Sequence, residues 1–349
     1  YRGVGRPIST FAMERLVDMA ARELSLDPLE MRRRNMVRAE EFPYKTPVGL
    51  VWDRAGFMEC LDGAAAAADY DGLRAEQARA RADGRWFGIG LASYAELTGL
   101  GSRISAAPGM PVNTGTETAS IRIDATGAVT AAFGIASHGQ GLETTLAQVV
   151  AEELGVRVED VEVVHGDSDA VAHSTGTYAS RSTILAGGAA TLSARALRQQ
   201  VVEAAAHLLE AAQADIEVAD GAIRVAGTDR AMSFPELAKA VFVEMGRLPR
   251  ELREQVDLQV TKTYDPYFGT TAPATHLAVV EIDPETYRVA IRRYVVAEDC
   301  GRIINPMIAD GQVHGGVAQG IGAALYEEVV YDDEGQILTA SLVDYLVPT

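Results

Sequence analysis

The sequence predicts an α+β fold: mixed sheets with helices packed on them, arranged as two layered subdomains. Three observations predict it. β-hairpin patterns alternate with isolated helical patterns; the segment 118–165 reads strand, strand, helix, strand; and 349 residues suit two layered units better than one.

From 9 to 24 the apolar residues Phe11, Met13, Leu16, Val17, Met19, Ala20 and Leu24 fall at helical spacing, with Ser9 and Thr10 as candidate N-caps. This predicts an amphipathic helix. Asp27-Pro28 opens a second helix to about 37, with Asp as cap and Pro in the first turn. Phe42-Pro43-Tyr44 forms a loop before a third helix near 53–68, and 74–82 continues helical. Past Asp83-Gly84 the composition shifts to β-formers and glycine from Trp86 to Tyr94, which sets a subdomain boundary near 84: 1–84 mainly helical, 85–349 the second unit.

A loose Gly/Ser/Pro stretch occupies 99–115. Strands at 118–124 and 128–136 flank the Ala125-Thr126-Gly127 turn, followed by a helix at 142–154 and a strand at 161–165. The residues of 186–212, mostly Ala, Leu, Val, Arg and Gln, make a long helix starting beside Gly187-Gly188. Further strands are expected at 215–225, 258–263, 276–282 and 287–296, then a helix at 309–325 and a final hairpin about Asp332-Asp333-Glu334-Gly335.

Hydrophobic residues make up 48% and charged residues 23% of the chain, the balance of an ordinary globular protein. A formal charge of -18 argues against nucleic-acid binding, which needs a basic patch. The strongest basic run, Arg32-Arg33-Arg34, reads as a solvated or partner-facing surface. Two cysteines, Cys60 and Cys300, build neither a disulfide framework nor a four-cysteine metal site, which points to a reducing, cytoplasmic setting. No run of about eighteen apolar residues predicts a membrane span. The start at Tyr-Arg-Gly, without Met, leads us to expect further chain upstream.

Three segments are candidates for chemistry. His138-Gly139-Gln140-Gly141 lies where a strand gives way to a helix, so its glycines admit close approach and its N–H groups favour an anion. It also reads as a plain strand-to-helix turn. Thr175 through Thr183 presents hydroxyls without bulk, suited to phosphate or pterin, or to capping the next helix. In Asp299 through Gly316, strand, turn and helix follow closely and small residues allow tight packing. His138, His165, His173 and His314 lack metal-ligand spacing, so no histidine-held metal is expected.

In order and wording these segments resemble one family. Tyr1-Arg2-Gly3-Val4-Gly5-Arg6-Pro7, the Leu26 to Asn35 helix, His138 to Thr144, Tyr178-Ala179-Ser180-Arg181-Ser182-Thr183, Asn305-Pro306 to Gly322 and Asp344-Tyr345 are similar to segments of molybdenum hydroxylase large subunits, the xanthine dehydrogenase and aldehyde oxidoreductase family. The resemblance spans the chain and identifies it as the C-terminal molybdopterin-binding portion.

The resemblance implies a molybdenum-bearing molybdopterin, in prokaryotes usually the cytosine dinucleotide, and no side-chain ligand to the metal. It implies hydroxylation of an aldehyde or N-heterocycle with water as oxygen source, with a Glu as base. That Glu is expected beyond Thr349, and another cofactor loop upstream of Tyr1. Arg2 is the implied catalytic contact, shared with cofactor binding by Gly3, and Val4 shapes the substrate slot. Gly139, Gln140, Gly141, Ala179, Ser180, Arg181 and Ser182 match cofactor-contacting positions; Cys300, Asn305 and Gln312 match the dinucleotide segment. Glu96 reads either as a pocket residue or as a solvated strand-end carboxylate.

Carbon monoxide oxidisers of the family carry a copper-holding Cys where this chain has Gly3, so neither copper nor that reaction is expected. Val4 in place of a stacking aromatic weakens a purine-specific reading. Iron–sulfur clusters and FAD are implied on partner chains, giving a hetero-oligomer with an N-terminal molybdenum-binding half or subunit, an iron–sulfur subunit and an FAD subunit. A second reading is a cofactor-free relative serving as scaffold or assembly subunit.

Overall fold

The computed structural model describes residues 2–52, 54–105, 115–171 and 173–348. In chain order the elements are α1 (Arg6–Glu23), α2 (Pro28–Asn35), β1 (Tyr44–Lys45), β2 (Val51–Trp52), α3 (Phe57–Ala68), α4 (Tyr70–Ala82), β3 (Trp86–Thr98), α5 (Ser102–Ser105), β4 (Glu117–Ile123), β5 (Val129–Phe133), α6 (Leu142–Leu154) and β6 (Val161–His165). Then come α7 (Ser182–Leu208), β7 (Ile216–Ala219), β8 (Ala222–Val225), β9 (Ala231–Ser233), α8 (Phe234–Phe242), α9 (Arg250–Arg253), β10 (Gln259–Tyr264), β11 (Thr270–Ile282), β12 (Val289–Glu298) and α10 (Pro306–Leu325). The expected mixed α+β class is present. Most of the Gly/Ser/Pro stretch 99–115, together with Tyr1, Asp53 and Thr349, lies outside the described residues.

The chain divides into two units, Tyr1–Ser137 with Leu142–Arg302, and His138–Gly141 with Ile303–Thr349. The first holds a sheet of order β10-β4-β5-β6, in which only the β5–β6 pair is parallel, so 118–165 forms the expected β-β-α-β unit. Strand β4 alternates, turning Glu117, Ala119, Ile121 and Ile123 inward toward α7. Small residues let α7 approach closely: a Cβ on Gly188 would stand 2.3 Å from the Tyr264 ring. Buried Ser193 bridges two strands, donating to Ala119 O at 2.9 Å and accepting from Lys262 N at 3.1 Å.

A second sheet, order β12-β11-β3, packs one face on α3 and α4. Its core joins Leu29, Leu61 and Leu73 to Phe87, Leu91, Leu277 and Val279, so residues on both sides of 84 share one layer pair. Two small antiparallel sheets, β1-β2 and β7-β8-β9, also belong to this unit.

Several boundaries differ from expectation. Helix α1 starts at Arg6 with Gly5 as N-cap, not at Ser9 or Thr10, because Pro7 fits the first turn, where its missing N–H costs nothing. The long helix begins at Ser182, leaving Gly187 and Gly188 inside it. The final hairpin is one bridge, Tyr331 to Ile337, with a turn tied by the Asp332 carboxylate. Helix α8 was unforeseen, although Ser233 and Glu236 form its capping box, a signature readable in the sequence.

The basic run is corrected as well. Arg32 is buried at 4% exposure, bonding the Glu14 carboxylate at 2.7 Å, Asp18 at 3.0 Å and Leu91 O at 2.8 Å. Three consecutive helical residues point in different directions, so one faces in while Arg33 and Arg34 remain outside. An amphipathic helix usually buries its apolar stripe. Here α1 turns Glu14 and Asp18 toward Arg32, buries only Ala21, and leaves Ile8, Phe11, Leu16 and Met19 exposed.

Candidate functional site

The loop before α1 is a tight turn, closed by Arg6 N donating to Gly3 O at 3.0 Å. Gly3 has φ +83°, and a Cβ there would stand 2.7 Å from the Pro7 ring. Val4 follows at φ 54°, a left-handed conformation that costs a β-branched residue about 1–3 kcal/mol. Its side chain is 89% exposed. The Arg6 guanidinium pairs with Glu96 near the end of β3 and donates to Leu97 O at 3.3 Å. Glu96 is therefore a paired carboxylate beside the Arg2 loop.

Three residues on, Gly99 N donates to Ser180 O at 3.3 Å. The end of β3 thus anchors both the Arg2 loop and the Ser180 loop. Ala179 and Ser180 are both left-handed, at φ 50° and 52°, and both are exposed. Arg181 instead turns inward: its guanidinium bonds the Glu117 carboxylate at 2.9 Å, Gly176 O at 2.6 Å and Thr116 O at 2.7 Å. It also lies over the Tyr178 ring, 5.5 Å from the centroid. Thr177 pins the loop to Ala136, accepting from its N–H at 2.9 Å and donating to its carbonyl at 2.6 Å.

The sheet face away from α3 and α4 carries Tyr94, His276, Tyr294 and Glu298, brought to one side by strand register. Tyr94 Oη lies 3.3 Å from His276 Nε2, and Tyr294 Oη 3.0 Å from His276 Nδ1. Burial, reinforced by the Glu298 and Glu96 charges, pushes Tyr94 up to about 12, while Arg2 acts in the opposite sense. Burial raises the Glu298 carboxyl, again countered by Arg2. Burial lowers His276. The charge of Arg2 therefore acts on this face.

In the second unit Gly139 and Gly141 take φ +94° and +76°, and the Gln140 side chain accepts from His138 N. A Cβ on Gly141 would stand 2.6 Å from Ile308 of α10, whereas one on Gly139 would meet nothing within 4 Å. Asn305 caps α10, its Oδ1 accepting from Ile308 N at 3.1 Å. Gln312 is exposed on the same helix. This unit groups Gly139, Gln140 and Gly141 with Asn305 and Gln312; Cys300 belongs to the first unit and is exposed.

In the first unit the hydroxyls of Ser180 and Ser182, with open space at Gly176 where a Cβ would stand, suit a polyanionic, hydrogen-bonding ligand, and the second unit by itself offers open space at Gly139. Among the described residues, no group of three or more His, Cys, Asp or Glu could hold a metal ion. Reading motifs alone overlooked Glu117, Tyr94, His276 and Glu298. Glu117 left a signal: it stands in phase with Ala119, Ile121 and Ile123, a charge on the core side of a strand.

A mixed α+β frame with glycine and hydroxyl loops fits a protein that cradles a large organic cofactor. Residues 63–349 match the family described as molybdopterin cofactor-binding domain, and 1–36 match a second family of that description. The chain belongs to the molybdenum hydroxylase family. It is 38% identical to the nicotine 6-hydroxylase large subunit of Paenarthrobacter nicotinovorans, over 100% of this chain and 42% of the relative. It is 36% identical to the carbon monoxide dehydrogenase large chain of Hydrogenophaga pseudoflava, over 98% of this chain and 42% of the relative. The crystal structure of quinoline 2-oxidoreductase from Pseudomonas putida 86 superposes with a TM-score of 0.88 at 41% identity, covering 97% of this chain and 43% of that one. The chain thus spans about two fifths of the length of these relatives.

Proposed function

We propose that this chain is the molybdopterin-binding part of a molybdenum hydroxylase that oxidises an N-heterocycle or aldehyde with water as oxygen source. The observation that carries this reading is the shared anchorage of the Arg2 and Ser180 loops on residues 96–99 of one strand end and its following turn. The relatives named for nicotine and quinoline favour the N-heterocycle.

When bound, the cofactor supplies the oxidising centre. The chain's own residues hold it: Gly139, Gln140 and Gly141 through backbone N–H and amide groups, Ala179, Ser180 and Ser182 through the outward side of their loop, and Cys300, Asn305 and Gln312 at a cytosine dinucleotide end. Arg2 and Gly3 border the reacting centre, with Arg2 lending positive charge, and Val4 and Glu96 line the substrate side. Arg181 serves that loop from within. The division into 1–84 and 85–349 subdomains rests on the composition shift after Asp83-Gly84. Iron–sulfur and FAD subunits, together with an N-terminal molybdenum-binding half, complete the proposed complex. Among the described residues no helix is long and apolar enough to cross a membrane. Free Cys60 and Cys300 support a cytoplasmic setting.

The test is co-expression with the flanking reading frames. Acid treatment should release molybdenum, pterin and cytidine monophosphate, and turnover of a pyridine or quinoline substrate in 18O-water should place the label in product. An intact assembly lacking molybdenum and pterin overturns the reading and leaves a scaffold.

A further inference from the structure

Among the described ion pairs, Arg181 with Glu117 is the one in which both side chains are buried, at 3% and 0% exposure. Burying two charges is costly, and a well-packed apolar pair would serve stability as well or better. This pair does something an apolar pair cannot do. Glu117 Oε2 accepts from Ser174 Oγ at 2.9 Å and from Arg181 Nη1 at 2.9 Å, so both ends of the 174–181 loop converge on one oxygen atom. Arg181 then spans the interior of the loop to Gly176 O, and reaches Thr116 O at the start of β4. Space there is tight: a Cβ on Gly134 would stand 2.2 Å from Ser174 Cβ. The charged clamp holds the loop closed while Ala179 and Ser180, left-handed and exposed, face outward.

We infer that Glu117 and Arg181 are positioning residues that preorganise the Ala179-Ser180-Ser182 surface for its anionic, pterin-bearing ligand. This rests on the function proposed for that loop. Glu117 is buried and acts through Arg181 and Ser174.

The experiment uses the co-expressed complex and compares Glu117→Gln, Ser174→Ala and the double variant Glu117→Leu/Arg181→Met. Molybdenum and pterin per complex are measured after gel filtration, with thermal midpoints and hydrogen exchange of amides 176–182 in cofactor-stripped protein. Glu117→Gln should lower both midpoint and cofactor retention, the latter roughly tenfold. The double variant leaves no lone buried charge and should recover most of the midpoint. Its loop amides should still exchange faster and its cofactor still be lost, because the carbonyls of Gly176 and Thr116 have lost their tether. Ser174→Ala, which keeps the ion pair, should show the same loss in weaker form. Full retention and native exchange rates in the double variant would make the pair merely structural and overturn the inference. If Glu117→Gln does not fold, Ser174→Ala and the double variant still decide it. A wild-type complex without molybdenum counts against the proposed function instead, while the exchange rates continue to test the clamp.

Discussion

Gly99 donates its N–H to the carbonyl of Ser180, fastening the turn after β3 to a loop 81 residues further along the chain. Gly99 itself sits at φ +50°, and a Cβ there would stand 2.6 Å from Ile184 in the first turns of α7. Strand end, loop and helix start are fixed at this one position.

Replacing Gly99 tests that junction. Gly99→Ala combines a left-handed penalty with overpacking against Ile184, an expected cost of about 2–4 kcal/mol. Thermal unfolding of the complex should show it, with cofactor retention falling alongside. An unchanged midpoint would mean that the loop and strand end adjust independently.

Arg32 gives the second prediction. Its guanidinium neutralises Glu14 and Asp18 and bonds Leu91 O, while Glu14 also accepts from Ser93 N at 3.2 Å. Arg32→Ala leaves two carboxylates facing each other beside a sheet, an expected loss of about 3–5 kcal/mol. Arg33→Ala and Arg34→Ala, whose ion pairs lie at the surface, should stay within about 0.5 kcal/mol of wild type. Chemical denaturation of the three variants separates these outcomes.

That contrast shows what the sequence made legible. The 142–154 helix and the 161–165 strand were readable to the residue, because apolar periodicity sets them. The orientation of α1 was not, since an apolar stripe does not say which of two faces meets the body of the protein. Glu14, Asp18 and Arg32 decide it through contacts between separate elements. The site loops were legible as glycine and hydroxyl motifs. Their supports, Glu117, Glu96 and the β3 end, came from long-range contacts that no local spacing records.

Acidification provides a third prediction. His276 stays bonded to Tyr94 and Tyr294, and burial lowers its pKa below the ordinary histidine value. Below the unfolded pKa of about 6.5 the unfolded chain binds the proton more readily, so this group removes stability as pH falls from the unfolded value toward the folded one. Glu298 on the same face, with its carboxyl raised, contributes in the opposite sense over more acidic conditions, partly offset by Arg2. The difference between wild type and His276→Asn isolates the histidine. Their thermal midpoints should move closer together between pH 7 and pH 5. A constant gap would remove the titration from the account.

Copper content supplies a fourth. By the resemblance, Gly3 matches the place where carbon monoxide oxidisers of the family carry a metal-holding Cys, although the chain is 36% identical to one carbon monoxide dehydrogenase large chain. The purified complex should contain molybdenum without stoichiometric copper, and carbon monoxide should not reduce it. Elemental analysis and anaerobic titration check both statements, and stoichiometric copper would count against the assignment of this loop.

The inverted α1 leads to the last prediction. Its outward face carries Ile8 at 74%, Phe11 at 70%, Leu16 at 57% and Met19 at 53% exposure, with Val4 beside them in the site loop. A contiguous apolar stripe of this kind is an association surface, and single exposed apolar residues would not require that conclusion. The chain spans about two fifths of its relatives' length, and under the proposed function the remainder of a large subunit would cover the stripe. Expressed alone, the chain should self-associate, and light scattering should register a mass above that of the monomer. Phe11→Ser with Met19→Ser should lower that mass without lowering the thermal midpoint, because neither side chain packs inside. In the co-expressed complex the same pair should instead weaken retention of the chain by its partners. A wild-type chain that stays monomeric at high concentration would mean the stripe is not an interface. The reversed polarity of α1 would then serve only the buried Arg32 network.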